Sequence, residues 1–221
     1  MEKMKLTNNS NDTNVERPQL RSEIQISPRE DGSFEVQSSV EGEAKREVRV
    51  DETVDAIEIR KELVDFGHEK SKEERSIDTV VVHTLYNDAF EGDERFDMAN
   101  IIAILRQHGF APHYVVGRAG EILQMVEEND VAWHAGKSEL PEDPQRGKVN
   151  PFSLGIELVN AEDTEITDEQ YRSLANLVAQ KVKEGHARTI VSHATIAPER
   201  KTNPWNFDWA LFGKLLADKL K

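Results

Sequence analysis

The sequence predicts a mixed α/β (α+β) protein: a central mixed β-sheet flanked by helices, preceded by an N-terminal extension. Three observations carry this. Short apolar, largely β-branched runs at residues 79–82, 114–116, 154–159 and 190–191 have the length of buried strands. Residues 96–108 and 168–182 carry apolar side chains at helical spacing. The two kinds of segment alternate irregularly, which favours a mixed sheet over a uniform doubly wound one.

The elements follow in order. Residues 1–21 are polar, with Asn8, Asn9, Ser10, Asn11, Asp12 and Asn14, and read as a disordered tail that cannot offset the entropy of ordering. Weak alternation over residues 22–50 (Ile24-Gln25-Ile26, Phe34-Glu35-Val36-Gln37, Val48-Arg49-Val50), with a turn at Asp31-Gly32, predicts two or three short strands. Residues 53–66 place Val54, Ile57, Ile59, Leu63 and Val64 near helical spacing and predict a helix stopped by Gly67. The charged residues 69–75 read as a link, so the chain divides into a tail (1–21), an extension (22–75) and a main domain (76–221).

Within the main domain, residues 79–82 form a strand that ends on His83. Residues 96–108 make an amphipathic helix closed by Gly109, with His108 a cation at its C-terminal end. Residues 114–116 and 122–126 pair across a turn at Arg118-Ala119-Gly120, with His113 a packing residue on that strand. Residues 154–159 are a buried strand, 168–182 a long helix capped by Thr167, and 209–220 a closing helix.

The stretch 189–205 carries the most chemistry. A short strand (Ile190, Val191) delivers His193, and the loop between Pro198 and Pro204 brings Lys201 and Asn203 back around the same turn. That is the layout of a metal site with one unexpected ligand, because zinc chemistry favours a carboxylate at position 203. His83 stands at a strand end, where α/β sheets open into their ligand crevice. A single strand-end histidine is ordinarily a hydrogen-bonded structural residue; two of them, with the loop after His193, point to a shared ion. Glu157 places a carboxylate inside an apolar run, so it faces solvent or has a cation or water to meet.

Five segments, taken in order, resemble the motifs of the zinc-dependent N-acetylmuramoyl-L-alanine amidases of the type 2 group, which includes the peptidoglycan recognition proteins. They are His83, residues 112–118 (PHYVVGR), 132–136 (AWHAG), 152–158 (FSLGIEL), and Ser192-His193 through Lys201-Thr202-Asn203-Pro204. The resemblance covers roughly residues 77–218 and none of residues 1–70. It implies an amidase/peptidoglycan-recognition-like fold and Zn²⁺ held by His83, His193 and Asn203. It also implies Glu157 as the catalytic acid–base and Lys201 as the cation beside the oxyanion. Trp133 and His134 would line the substrate cleft, Trp133 as a flat wall for a sugar or peptide stem, although a tryptophan of this kind is equally at home in a core. Members of the family usually carry aspartate at the third ligand position; Asp208 is the nearest carboxylate beyond Asn203 that could substitute.

The implied reaction is hydrolysis of the amide between the lactyl group of N-acetylmuramic acid and L-alanine, on peptidoglycan or a soluble muropeptide. A muropeptide-binding module without catalysis, or an interaction module working through residues 22–66, are the other classes. A net charge of −14 argues against a general nucleic-acid binder. With no cysteine, disulfides and thiolate ligands are both unavailable. No signal-peptide pattern and no span of membrane length is present in the sequence, so the expected location is cytoplasmic, with release to the cell wall the alternative for a phage-derived protein.

Overall fold

Alternation near the N-terminus becomes a hairpin. β1 (Glu23–Pro28) and β2 (Phe34–Ser38) run antiparallel, from Ile24 opposite Ser38 to Pro28 opposite Phe34. The turn falls where Asp31-Gly32 predicts it: Gly32 adopts φ 85°, and the Ser33 backbone N–H donates to Asp31 Oδ1 at 2.9 Å. The computed structural model describes residues 22–40, 44, 48 and 57–221. The expected tail over 1–21 and residues 49–50 of the third short strand lie outside the described residues.

The helix predicted over 53–66 does not form in its described part, and residues 53–56 lie outside the described residues. Instead β3 (Ile59–Lys61) pairs in parallel with Ile122–Gln124, and the chain continues along that edge with Glu62 N–H on Gln124 O and Val64 N–H on Met125 O. Ile57-Glu58-Ile59-Arg60 also alternates with period two, and a free strand edge that satisfies the backbone decides between the two readings. At the start of the charged link, β4 (His68–Glu69) pairs with β8 (Val131–Ala132) in a separate two-stranded ribbon.

Except for a short helix at His193–Ile196, which the sequence did not predict, the remaining elements lie close to their predicted positions. With that helix included they are β5 (Thr79–Leu85), α1 (Met98–His108), β6 (Tyr114–Val116), β7 (Ile122–Gln124), β9 (Ser153–Val159), α2 (Asp168–Lys183), β10 (Thr189–Ser192), α3 (His193–Ile196) and α4 (Trp209–Lys219). α1 starts after Asp97, whose side chain accepts from Ala99 and Asn100, and stops at Gly109 in the left-handed region (φ 68°). A capping box opens α2: Gln170 N–H donates to Thr167 Oγ1 and Thr167 N–H to Gln170 Oε1, both at 3.1 Å.

Among the described residues the main sheet has the order β2-β1-β10-β5-β9-β6-β7-β3. Its centre, β10-β5-β9-β6, is parallel; β1, β2 and β7 add antiparallel pairs, giving the mixed sheet that the sequence predicts. One face buries Val80, Val82, Leu154, Ile156 and Leu158 against α2 and α4, with Leu174, Val178, Phe212 and Leu216. By the period of two, Val81, His83 and Leu85 of β5 and Gly155, Glu157 and Val159 of β9 face the other side. There α1 covers Leu85, Val115 and Val159, and the strand ends beyond its cover open into a cleft.

Candidate active site

Sheet register brings the first two groups together. β5 and β9 pair with His83 beside Glu157, so both side chains leave the same face at the same level, and His83 Nδ1 lies 3.9 Å from Glu157 Oε1. β10 ends one residue before His193. Ser192 Oγ accepts the Thr195 N–H at 2.8 Å, and this cap turns the chain into the short α3, which begins on His193.

Position 203 is fixed by two anchors. Ala194 N–H donates to Asn203 O at 2.9 Å, and Asn203 Nδ2 donates to the Thr84 carbonyl at 3.0 Å. Trp205 N–H adds a bond to Thr84 Oγ1 at 3.1 Å, so the returning loop is stitched to the residue after His83. With its amide nitrogen engaged, Asn203 is left with a buried Oδ1 that has no hydrogen-bond partner. Glu157 Oε2 is in the same condition.

The imidazole hydrogens follow from what each ring touches. Ser153 Oγ–H donates to the Val149 carbonyl at 2.8 Å, so Ser153 Oγ accepts from His134 Nε2 at 3.1 Å. His134 Nδ1 is then bare and accepts from His83 Nε2 at 3.0 Å, which leaves His83 Nδ1 without a hydrogen. His193 Nε2 faces the Ala135 carbonyl at 3.4 Å, and its Nδ1 stands 2.8 Å from His83 Nδ1. Two ring nitrogens so close need a hydrogen or a cation between them. Burial acts in the same direction on all three rings. It depresses His83 and His134 well below the ordinary histidine value and His193 to about 4, with neighbouring positive charges adding to the effect. Glu157 is pushed up to about 8 by burial, against the pull of the Lys201 ammonium.

His83 Nδ1 thus stands 2.8 Å from His193 Nδ1 and 3.9 Å from Glu157 Oε1, and Asn203 Oδ1 and Glu157 Oε2, on residues that line the same cleft, are buried without partners, so this group of acceptors has too few donors. That set fits a small divalent cation: two imidazole nitrogens and oxygen donors are zinc chemistry, with nitrogen spacing within about 0.5 Å of that found on one tetrahedral ion. Asp208 does not substitute for Asn203, because its carboxylate accepts the Leu211 N–H at 3.0 Å as the cap of α4. A second grouping, Glu128, Glu184 and His186, has donor atoms within 4.8 Å of one another. The buried Lys181 ammonium, 2.7 Å from Glu128 and 2.6 Å from Glu184, already supplies a cation to that grouping.

The cleft over these residues holds about 670 Å³ and is lined by His134, Glu157, His193, Lys201 and Asn203, with Trp133, Tyr86 and Trp205 as aromatic walls. Trp133 is 47% exposed, which removes the core alternative for it. Tyr86 and Trp205 meet edge to face with centroids 6.0 Å apart. His134 lines the cleft but is largely buried, and both of its ring nitrogens are engaged, by His83 and by Ser153. His113 packs as expected, accepting the Gly155 N–H at Nδ1 and facing the Asp130 carbonyl with Nε2.

Several residues that build the site were not singled out in the sequence. Arg75, read as part of a charged link, caps the carbonyls of Glu128, Asp130, Asn150, Pro151 and Ser153 and so ties the loops beneath the cleft together. Burial lowers its guanidinium to about 10. No periodic signal marks such a residue. Ser153 could have been suspected, since a hydroxyl at the start of a buried strand must find a partner.

The family model for N-acetylmuramoyl-L-alanine amidase matches residues 73–206. The chain is 40% identical over 107 residues to the 1,6-anhydro-N-acetylmuramyl-L-alanine amidase AmpD of Citrobacter freundii, covering 47% of this chain and 56% of that protein. It is 35% identical over 127 residues to AmpD of Haemophilus influenzae, covering 56% and 67%. The crystal structure of a selenomethionine AmpD derivative superposes with a TM-score of 0.57 at 30% identity, covering 73% of this chain and 96% of that one. The chain thus spans just over half the length of the first of these curated relatives. With the family model matched across all the elements that build the cleft, the chain belongs to the N-acetylmuramoyl-L-alanine amidase family.

Proposed function

We propose that this protein hydrolyses the amide between the lactyl group of N-acetylmuramic acid and the L-alanine of a peptidoglycan stem peptide, with Zn²⁺ held by His83, His193 and Asn203. The observation that supports this is the 2.8 Å approach of His83 Nδ1 to His193 Nδ1 beside Glu157, with Asn203 Oδ1 buried and without a partner on a residue lining the same cleft. A zinc ion held by these residues would supply Lewis-acid chemistry to the scissile carbonyl and the attacking water, and would favour the ionised form of Glu157. Glu157 takes the proton of the attacking water and passes it to the leaving amine of L-alanine. Lys201 holds an ammonium against the negative charge that grows on the carbonyl oxygen. Trp133, at the open side of the cleft, gives the sugar or the stem a flat apolar face.

One feature favours a second reading, a muropeptide-binding module of the same fold with impaired catalysis. Asn203 offers zinc a neutral carbonyl oxygen rather than a carboxylate, and such a site holds the ion more weakly. Stripping the protein with a chelator and restoring one equivalent of zinc separates the two. Loss and return of muropeptide hydrolysis supports the amidase; muropeptide binding without hydrolysis at saturating zinc supports the binding module. Among the described residues no helix is long and apolar enough to cross a membrane.

A further inference from the structure

His134 occupies a place that other residues are shaped to provide. Its ring lies against β9 at Gly155, where an added Cβ would stand 2.3 Å from the His134 Cγ and 2.6 Å from its Nδ1. Only a glycine leaves room for the ring at that level. The Gly155 N–H is meanwhile engaged by His113, so the strand is fixed on both sides of the gap. Across this gap runs a directional chain of hydrogen bonds: His83 Nε2 to His134 Nδ1 at 3.0 Å, His134 Nε2 to Ser153 Oγ at 3.1 Å, and Ser153 Oγ to the Val149 carbonyl at 2.8 Å. A carbonyl cannot donate, so the chain has one polarity. Each group is buried, and reversing a step would leave two acceptors facing each other without a hydrogen.

We propose that His134 is a positioning residue: through Ser153 and the Val149 carbonyl it holds His83 in the Nε2–H tautomer, keeping Nδ1 bare and aimed at His193 Nδ1 and Asn203. This assignment rests on the metal-site reading above and deepens it. A histidine that binds metal through one nitrogen is oriented by what its other N–H donates to. Here that acceptor is a second histidine, itself polarised by a serine hydroxyl. In a chain whose third ligand is a neutral amide, a fixed and electron-rich His83 offsets part of what the absent carboxylate would have supplied.

The test needs no substrate, so its outcome is separate from that of the amidase reading. Long-range ¹H–¹⁵N correlation of the imidazoles in the metal-free full-length protein reads the tautomers directly. His83 and His134 are both expected as Nε2–H; an Nδ1–H tautomer at His83 overturns the proposal. The second arm is zinc affinity by chelator competition, with the metal-free melting curve taken alongside. His134→Leu is expected to weaken zinc binding about 10- to 100-fold. His134→Asn, whose amide oxygen stands where Nδ1 stood and accepts from His83, is expected to recover most of that loss. A folded His134→Leu protein that binds zinc like the parent overturns the proposal, and if that variant does not fold, the tautomers of the parent decide.

Discussion

At position 203 the chain has an amide whose two ends do different jobs. Nδ2 holds the Thr84 carbonyl at 3.0 Å, and Oδ1 is left without a partner at the site. Asn203→Asp therefore has two opposing effects. A carboxylate oxygen should tighten zinc on the order of tenfold, about 1.4 kcal/mol. Its other oxygen would face the Thr84 carbonyl without a hydrogen, and the metal-free fold should lose roughly 1–3 kcal/mol. Chelator competition and a metal-free melting curve check both signs, and an unchanged zinc affinity removes Asn203 from the ligand set. Glu157→Gln keeps the shape of the side chain but cannot take a proton. Hydrolysis should fall about 10²- to 10⁴-fold with zinc retained; turnover at the parent rate would refute the role of Glu157. Glu157 stood out in the sequence because it sits inside an apolar run, and Asn203 because the loop between Pro198 and Pro204 returns it toward His193. The hydrogen bonds of His134 were not legible there, because its partners Ser153 and His83 lie 19 and 51 residues away in sequence.

At the scale of elements, the strands and helices with clear periodicity or clear punctuation stand where the sequence put them: Thr167 before α2, Gly109 after α1, Asp31-Gly32 between β1 and β2. The miss at 57–66 is instructive, since Ile57 and Ile59 fit both periods and only the waiting edge of β7 selects a strand. The dividing line drawn at residue 75 also missed a long-range pairing. β1 lies on β10, with Glu23 opposite Val191 and Ile24 opposite Ile190, and Ser22 bonds to Thr195 at the foot of the His193 helix. The hairpin is thus part of the sheet that delivers a site residue. Deleting residues 1–40 should lower the melting temperature and weaken zinc binding; a truncated protein that is equally stable and more active would mark the hairpin as autoinhibitory instead.

Over the whole molecule, the buried site makes stability depend on pH in two directions. His83, His134 and His193 have folded values below the ordinary histidine value, so the unfolded chain binds their protons first. Their contribution is present above about pH 6.5 and is lost as pH falls, toward about 4 for His193. Glu157 acts oppositely: raised from 4.5 to about 8, it ionises first in the unfolded chain, so it destabilises the fold progressively as pH rises through that interval. The metal-free protein should melt highest near pH 6 to 7. Glu157→Gln should abolish the decline between pH 7 and 8; a decline of equal size in that variant would contradict the assignment. The proposed function itself rests on the cleft being a metal-dependent amidase site, and one measurement addresses that directly. Zinc-restored protein is incubated with a defined muropeptide and the products are weighed by mass spectrometry, beside a chelator-stripped control. The account expects a free stem peptide beginning at L-alanine together with the sugar bearing a lactyl carboxylate, formed only in the zinc-restored sample. Intact muropeptide at saturating zinc, or cleavage at any other bond, would contradict it.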